Sequence, residues 1–464
     1  MQTKENHLED LTKGNIPSQL WSLAWPMMLS VFFYTLYNIV DAYWVSKLSP
    51  ESIAAVSISQ IALMLMISIG FGITIGSGVI MSMDIGAKNK PAAERVLGQS
   101  FVLTAIAGVF FTIIALLFRE QLLTWSGASG AIFQPAMDYF TITSGGSILF
   151  FILITIMFAF NAQGDTFTLT KLFALSTLVN IVCDPILIFG WAGLPAMGIS
   201  GAAISTLISQ FVFIVIALRS LSSPKRNIQF HFRNLSFNWD SVKRVLKIGI
   251  PAAITQVINP VGLAILTLLS SKAFFEAGAV AFSLGFRIEF FAYLPAIGFG
   301  FAAMAMMAQN IGAEDLERTK AVLATALRFA IGIALVFGVI AAVFAHQIIA
   351  IFTQDPVVTA YTLSYFHIVA LSYAFLAAMM VEANAFQAVG RSWPGFWISF
   401  LRYIVIAIPM SYLGTIILDY SISAIWGAIV VGNIVSSLVG YFWIHRVLRT
   451  FDFTEVEAAT HRKV

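Results

Sequence analysis

Charge is what this chain has least of. Asp, Glu, Lys and Arg make up only 11% of its 464 residues, against about 25% in ordinary globular domains. A surface so poor in charge cannot face water, which excludes a cytosolic enzyme, a nucleic-acid binder and a disordered chain together. Cysteine is nearly absent too: Cys183 stands alone, so neither an intrachain disulfide nor a Cys-based metal cluster is available. The Walker P-loop, HExxH and GxSxG patterns are missing, so ATP-driven transport and zinc or serine hydrolysis are not encoded here. Gly298-Phe-Gly300-Phe-Ala-Ala303 matches a dinucleotide fingerprint by letter only. It lies inside an apolar run with no preceding strand, where glycine-mediated helix packing is the better reading. Met1 to Ser18 is polar and charged, which predicts a retained first helix and no cleavable leader.

What the chain does have is apolar length. Hydrophobic residues are 59% of it, with 41 Phe and 10 Trp, and such residues run from about Trp21 to Leu448. A helix needs about 20 apolar residues to cross about 30 Å of hydrocarbon. Twelve such runs are predicted, at 17–46, 53–82, 92–118, 130–162, 166–190, 196–220, 245–271, 276–308, 320–348, 358–388, 394–418 and 422–448. The fold class expected is therefore an all-α integral membrane protein. With the N-terminus inside, twenty Lys and Arg fall on the cytoplasmic side and only Lys47, Arg119 and Lys272 on the other. The positive-inside bias thus puts both termini in the cytoplasm, in a multi-pass protein of the cell inner (plasma) membrane. The net charge of +3 belongs to these loops and implies no nucleic-acid partner.

The chain also repeats itself at a shift of about 225 residues. Pro26 matches Pro251, Ser46-Lys47 matches Ser271-Lys272, and Ile85-Gly86-Ala87 matches Ile311-Gly312-Ala313. Val96-Leu97 and Val322-Leu323 follow, as do Gly164 and Gly390 at the ends of the fourth and tenth runs. The expected organisation is a cytoplasmic segment 1–16, a six-helix bundle 17–220, a basic linker 221–244, a second bundle 245–448 and a cytoplasmic tail 449–464. Six spans per half give both halves one orientation, related by an axis along the membrane normal. Two repeated halves facing a cavity are a transporter layout rather than an enzyme layout.

Ionisable groups at mid-bilayer cost about 2.5 kcal/mol or more, so the few present are informative. Asp41 lies about five residues from the outer end of the first span and Asp184 about six from that side of the fifth. At about 1.5 Å per residue, the two carboxylates share a depth. Asn180 is one turn before Asp184, Asn38 and Tyr37 precede Asp41 by three and four, and Thr206 lies at a similar depth in the sixth span. These spacings keep each set on one helical face. Pro185 breaks the backbone ladder beside the acid. Two carboxylates, two amides and hydroxyls can hold a proton or a sodium ion, and a buried pair of acids titrates as a unit. The bland alternative is that these groups only hydrogen-bond helices together. Leu266 stands where the second half would repeat Asp41, so this site belongs to the first half alone. In the second half, Glu289 sits two residues from Arg287, off its helical face, and Glu382 lies about two turns from the cytoplasmic end of its span. Either could line a cavity, and Glu382 could instead snorkel to the interface. Asp84, Asp138 and Asp165 sit near span ends, where solvated carboxylates are cheap.

In their order and spacing, several motifs resemble the MATE (multidrug and toxic compound extrusion) family over about residues 17 to 448. They are Pro26…Asn38…Asp41, the Ile85-Gly86-Ala87 turn, the Gln163-Gly164-Asp165 break and Gly198-Ile-Ser-Gly201-Ala-Ala. The Asp41, Asn180, Asp184 and Thr206 set is similar to the prokaryotic DinF-like branch. The resemblance implies two six-helix bundles in a V and an antiporter exporting organic, often cationic, compounds for protons or sodium ions. It makes Asp41 the main coupling acid, Asp184 its partner, and Asn180 and Thr206 supports, with sodium as the alternative occupant of the same four. Tyr37, Asn38, Glu289 and Glu382 are the secondary candidates for the site or the substrate cavity. The NorM-like branch places further acids on the seventh and tenth spans. Here the seventh has none, and Ala378 stands about where the tenth-span acid belongs, with Glu382 one turn on. No cofactor beyond the coupling ion is expected, no enzyme activity, and a monomer among membrane lipids, since no glycine pair clearly faces outward. The rivals are a sodium-coupled exporter, a flippase for lipid-linked saccharide precursors, which would need a basic cavity, and a membrane-embedded transferase. For the transferase, the six His offer no ligand spacing within a span.

Overall fold

The computed structural model describes residues 10–453, apart from Lys225 and the side chains of Leu65 and Ala192. Lys4, Lys225, Arg462 and Lys463, counted above for sidedness, and the outer parts of the segments 1–16 and 449–464 lie outside the described residues. Every regular element among the described residues is helical. Ten helices are long and apolar enough to cross a membrane, and a helix pair bent by 52°, Gly130–Gly145 with Ser147–Ala162, makes an eleventh crossing. One of the ten, Trp239–Gly312, runs 74 residues and bends out of helical geometry at Phe274 and Phe275. It is therefore spans 7 and 8 in continuous succession, and the total among the described residues is twelve. The sequence reading separated these two runs by a loop at 272–275; the turn is instead made by two residues, with Phe275 in left-handed backbone at φ 55°.

The remaining spans are 1 (Ile16–Ser46), 2 (Pro50–Gly86), 3 (Lys90–Leu117), 5 (Thr166–Phe189), 6 (Ile199–Leu221), 9 (Leu316–Val343), 10 (Pro356–Ala388), 11 (Trp393–Ile417) and 12 (Ser423–Arg449). Span 4 is the bent pair, broken at Gly145-Gly146. Short helices Arg119–Trp125 and Ala345–Ala350 follow spans 3 and 9.

The sequence repeat is written into the local backbone. Span 3 starts with Asn89 accepting from the Ala92 amide, and span 9 with Asp315 accepting from that of Arg318. Each cap satisfies one of the orphan amides of a helix start. Just before them, Lys88 and Glu314 both take left-handed backbone, φ 57° and 62°. Gly164 and Gly390 repeat this at φ 75° and 76°, a conformation that glycine adopts without the Cβ penalty.

The chain packs as two compact units. One holds Leu29–Ile250; the other holds Asp10–Met28 with the residues from Pro251 on. In the first unit, Gly72 and Gly76 on span 2 let the start of span 7 lie against bare backbone. A Cβ at Gly249 would meet the Gly72 carbonyl at 2.6 Å, and one at Gly76 would collide with that of Val245. Small residues are what allow helices in a membrane to approach so closely. The second unit repeats the device, since a Cβ at Gly298 would meet the Ala24 carbonyl at 2.8 Å. There, Arg318 holds the N-terminal segment by donating to the carbonyls of Lys13 and Gly14, each at 2.9 Å, while Asn310 donates to that of Leu11. The basic linker is strapped down in the first unit. Arg226 pairs with Asp165, the Ile228 amide donates to Gln163 Oε1, and the Gln229 amide donates to Glu94.

Spans 5 and 6 are joined by a tight return in which the Met197 and Gly198 amides donate to Leu187 and Ile188. A Cβ at Gly201 would sit 2.6 Å from the Leu187 carbonyl, backbone that cannot step aside. Gly201→Val is expected to destabilise the protein by about 1–3 kcal/mol, read as a lower unfolding midpoint in detergent. Gly427→Ala, where a Cβ meets nothing within 4 Å, should keep or raise that midpoint, since alanine is the better helix residue.

Candidate functional site in the first unit

The first unit gathers its polar residues where three apolar spans run side by side. Asp41 on span 1 and Asp184 on span 5 each stand five residues before their helices end, at Ser46 and Phe189. Both are buried, Asp41 at 4% exposure and Asp184 at 0%, and they act on one another electrostatically. The one-turn spacing of Asn180 and Asp184 does what a helix dictates: the Asn180 amide nitrogen donates to Asp184 Oδ1 at 3.0 Å and to the Ser205 hydroxyl at 3.1 Å. Ser205 thereby joins span 6 to the site. Its neighbour Thr206 accepts from the Tyr37 hydroxyl at 2.6 Å, which ties span 6 to span 1.

These contacts bring Asp41, Asp184, Asn180, Thr206 and Tyr37 into one network or its immediate surroundings. Asn38 is not part of it. Although one helical face carries Asn38 and Asp41, the Asn38 amide donates to the Tyr34 carbonyl of its own helix at 2.7 Å. Two residues of the site carry no signal in the sequence. Ser205 differs from the many serines of the spans only in what lies across from it. Tyr139, buried in span 4, faces Asp41 and Asp184 electrostatically, and only the fold places that span beside the acids.

The network is short of donors. Asp41 Oδ1, Asp184 Oδ2 and Asn180 Oδ1 are all buried with no hydrogen-bond partner. Carboxylates and amide oxygens are pure acceptors, and an unpaired buried acceptor costs about 1–3 kcal/mol. A proton or a small cation supplies what three such oxygens lack. Among the described residues no three His, Cys, Asp or Glu side chains cluster as ligands for a metal ion, so any cation here would rest on two carboxylates and neutral oxygens. One helical turn toward the same end lies an apolar layer. Val45 follows Asp41 by four, Ile188 follows Asp184 by four, and Ala202 precedes Thr206 by four, all in one buried cluster with Ala136, Tyr139 and Phe140. The packing one turn beyond the acids is thus mostly apolar.

The acids of the second unit are arranged differently. Glu289 is buried and accepts from the Tyr365 hydroxyl, and the cation acting on it is Arg402 from span 11 rather than Arg287. Arg287 makes no ion pair among the described residues. Glu382 is buried at 1% exposure, so its carboxylate does not snorkel, and neither of its oxygens has a partner.

Asn180→Leu is expected to strip Asp184 of its donor and to lower stability by about 1–3 kcal/mol. Ser205→Ala, which removes only one of the two acceptors of Asn180, should cost less. Unfolding midpoints of both variants in the same detergent test that order.

Comparison with known proteins agrees with this architecture. The sequence model of the MatE family matches residues 26–186 and 251–413, one stretch in each half. An FAD transporter of Shewanella oneidensis is 25% identical over 458 residues, covering 98% of this chain and 99% of the relative. A probable multidrug resistance protein NorM of Thermotoga maritima is 25% identical and covers 88% of each chain. Among solved structures, an outward-facing multidrug resistance MATE family transporter of the MOP superfamily superposes with a TM-score of 0.89 at 24% identity, over 98% of this chain and 100% of that one. A twelve-span helical fold, the polar network in its first half and a family match that takes in most of both repeats lead to one conclusion: this chain belongs to the MatE family of multidrug and toxic compound extrusion transporters.

Proposed function

We propose that this member of the MatE family is a proton-coupled antiporter that exports organic cations by alternating access, with Asp41 and Asp184 as its coupling pair. The observation that carries the reading is the group of three buried, unpartnered acceptor oxygens at Asp41, Asp184 and Asn180. Ionised, the pair favours a cationic substrate. Protonated, it satisfies its own oxygens and no longer attracts a cation. A ligand shifts a conformational equilibrium only through its differential affinity for the two states, and here a proton and a cation compete for the same oxygens. Asn180, Ser205 and Thr206 hold the pair in register, and Tyr37 couples span 6 to span 1. Proton entry from the more acidic outer face would release substrate outward, and return to the inward-facing state would carry the proton in.

Sodium is the second coupling ion to test, since Asp41, Asn180, Asp184 and Thr206 present oxygen donors of the kind a hard cation takes. An anionic substrate is the second substrate class. A relative along nearly the whole chain is named as an FAD transporter, and the second unit buries Arg402 with its Nε unpartnered. The acidic character of the first-unit site supports the cationic reading over this one. The excess of basic residues on one set of loops supports both termini in the cytoplasm of a plasma-membrane protein. It is read as a monomer surrounded by lipid.

The deciding experiment is efflux of a fluorescent organic cation from proteoliposomes under imposed gradients. Wild type should transport under a pH gradient, acidic on the outer face, and be indifferent to sodium. Asp41→Asn should lose pH-driven transport by tenfold or more, about 1.4 kcal/mol. Normal coupled transport by Asp41→Asn would end the proposal, and sodium-driven transport surviving that substitution would move coupling to the second unit.

A further inference from the structure

Arg328 is a cation set in hydrocarbon. It lies twelve residues into span 9, about 18 Å along the helix from Leu316. Its side chain is exposed and has no hydrogen-bond or ion-pair partner among the described residues. The exposed surface around it is apolar, with Leu335 and Val336 on span 9 and Val435, Leu438 and Val439 on span 12. An unpaired arginine on such a face is costly. Helical side chains lean toward the start of their own helix, so Arg328 leans toward the Leu316 end. That is also the end at which span 12 finishes, with His445 and Arg446 in its last turns.

Two apolar troughs meet beside these residues. Arg328 and His445 line a cavity of about 660 Å³ between spans 9, 10 and 12, walled by Leu327, Ile331, Phe375 and Leu438. His445 Nδ1 lies 2.8 Å from the Tyr441 carbonyl. A carbonyl only accepts, so Nδ1 carries the hydrogen and Nε2 is left for a ligand. Leu438 also borders a second trough of about 640 Å³, which runs along Val435, Val439 and Phe442 to Arg446. The Arg446 side chain has no partner among the described residues either. Glu382 lines the cavity too, but both its oxygens are buried, one of them against Gly440. The charge within reach of a ligand is therefore that of two guanidinium groups.

We propose that this face of the second unit is a site for one anionic phospholipid, whose acyl chains lie in the two troughs on either side of Leu438 and whose phosphate accepts from Arg328 and Arg446. Two apolar troughs divided by a single side chain, each with an arginine, match a ligand with two tails and one anionic head. Guanidinium and phosphate pair through two parallel hydrogen bonds, and basic pockets between spans suit anionic headgroups. A zwitterionic lipid would bring its own ammonium group beside two arginines, and free phosphate would leave both troughs empty. Nothing in the first-unit network takes part, so the site does not rest on the antiport reading.

The probe is a phosphatidylglycerol with a diazirine on one acyl chain, present as a trace in phosphatidylcholine nanodiscs that hold the purified full chain. After illumination, adducts should concentrate on Phe375 and Leu438 over Val336 and Ile340, which are exposed on span 9 outside both troughs. Unlabelled phosphatidylglycerol should displace them, and added phosphatidylcholine or inorganic phosphate should not. Arg328→Gln should lower the adducts at Phe375 and Leu438 about tenfold, the loss of a charge-assisted pair, and leave those at Val336 and Ile340 unchanged. A second variant keeps every charge. Gly332 lines the cavity and a Cβ there meets nothing within 4 Å, so Gly332→Phe should fill the space and exclude the chain without disturbing a neighbour. Equal labelling of the two pairs of residues, displacement by phosphatidylcholine or by inorganic phosphate, or labelling unaltered by Arg328→Gln or by Gly332→Phe would each overturn the proposal.

Discussion

Inside hydrocarbon no water completes a hydrogen bond, so each polar group in a span must find its partner within the protein or stand as a cost. Four of the buried acids answer that constraint in different ways. Glu289 meets it with the Tyr365 hydroxyl and the charge of Arg402. Asp184 meets half of it, through Asn180. Asp41 and Glu382 hardly meet it: Asp41 leaves Oδ1 and Glu382 leaves both oxygens without a donor. The degree of satisfaction thus differs from one acid to the next.

The surroundings follow the same logic. Close to Asp41 and Asp184, small residues such as Ala202 and Ala203 fill one turn of span 6 and build a dry layer with Val45 and Ile188. A dry layer strengthens every charge interaction behind it. It also means that access from that end requires the layer to part. In the second unit the carboxylate of Glu382 is instead accommodated by the missing side chain of Gly440, so the cost is met by space and not by a donor.

Much of this is legible in the sequence itself. Hydropathy alone separates the spans because helices in lipid hide their own backbone polarity, and the repeat at about 225 residues is visible because paired turns need the same residues. Gly164 and Gly390 recur at positive φ, and Asn89 and Asp315 recur as caps. The depth match of Asp41 and Asp184 also follows from counting. What counting cannot supply is rotation. Asn38 stands on the right face by arithmetic yet satisfies itself on Tyr34, and Tyr139 and Ser205 carry no local mark because their importance lies in a neighbouring helix. The Glu289 partners come from spans 10 and 11, far along the chain from Arg287. The missing loop between spans 7 and 8 is a further case. Phe275 turns the chain in left-handed backbone, a conformation that no propensity assigns to phenylalanine.

The division of span 1 between two units has a consequence for how the protein is made. Asp10–Met28 is made before span 2 but packs with residues from Pro251 on, while span 2 offers Gly72 and Gly76 to a segment that begins after the linker. Packing in the first unit is therefore complete only with its last residues, and the opening segment packs later still. The first waits for Val245–Gly249, and the opening segment waits longer, until Gly298 and then Arg318 have been synthesised. Domains made in sequence ordinarily close one after the other. Here the part of span 1 before Leu29 waits for residues of the second half, so its packing is completed only after those have been made.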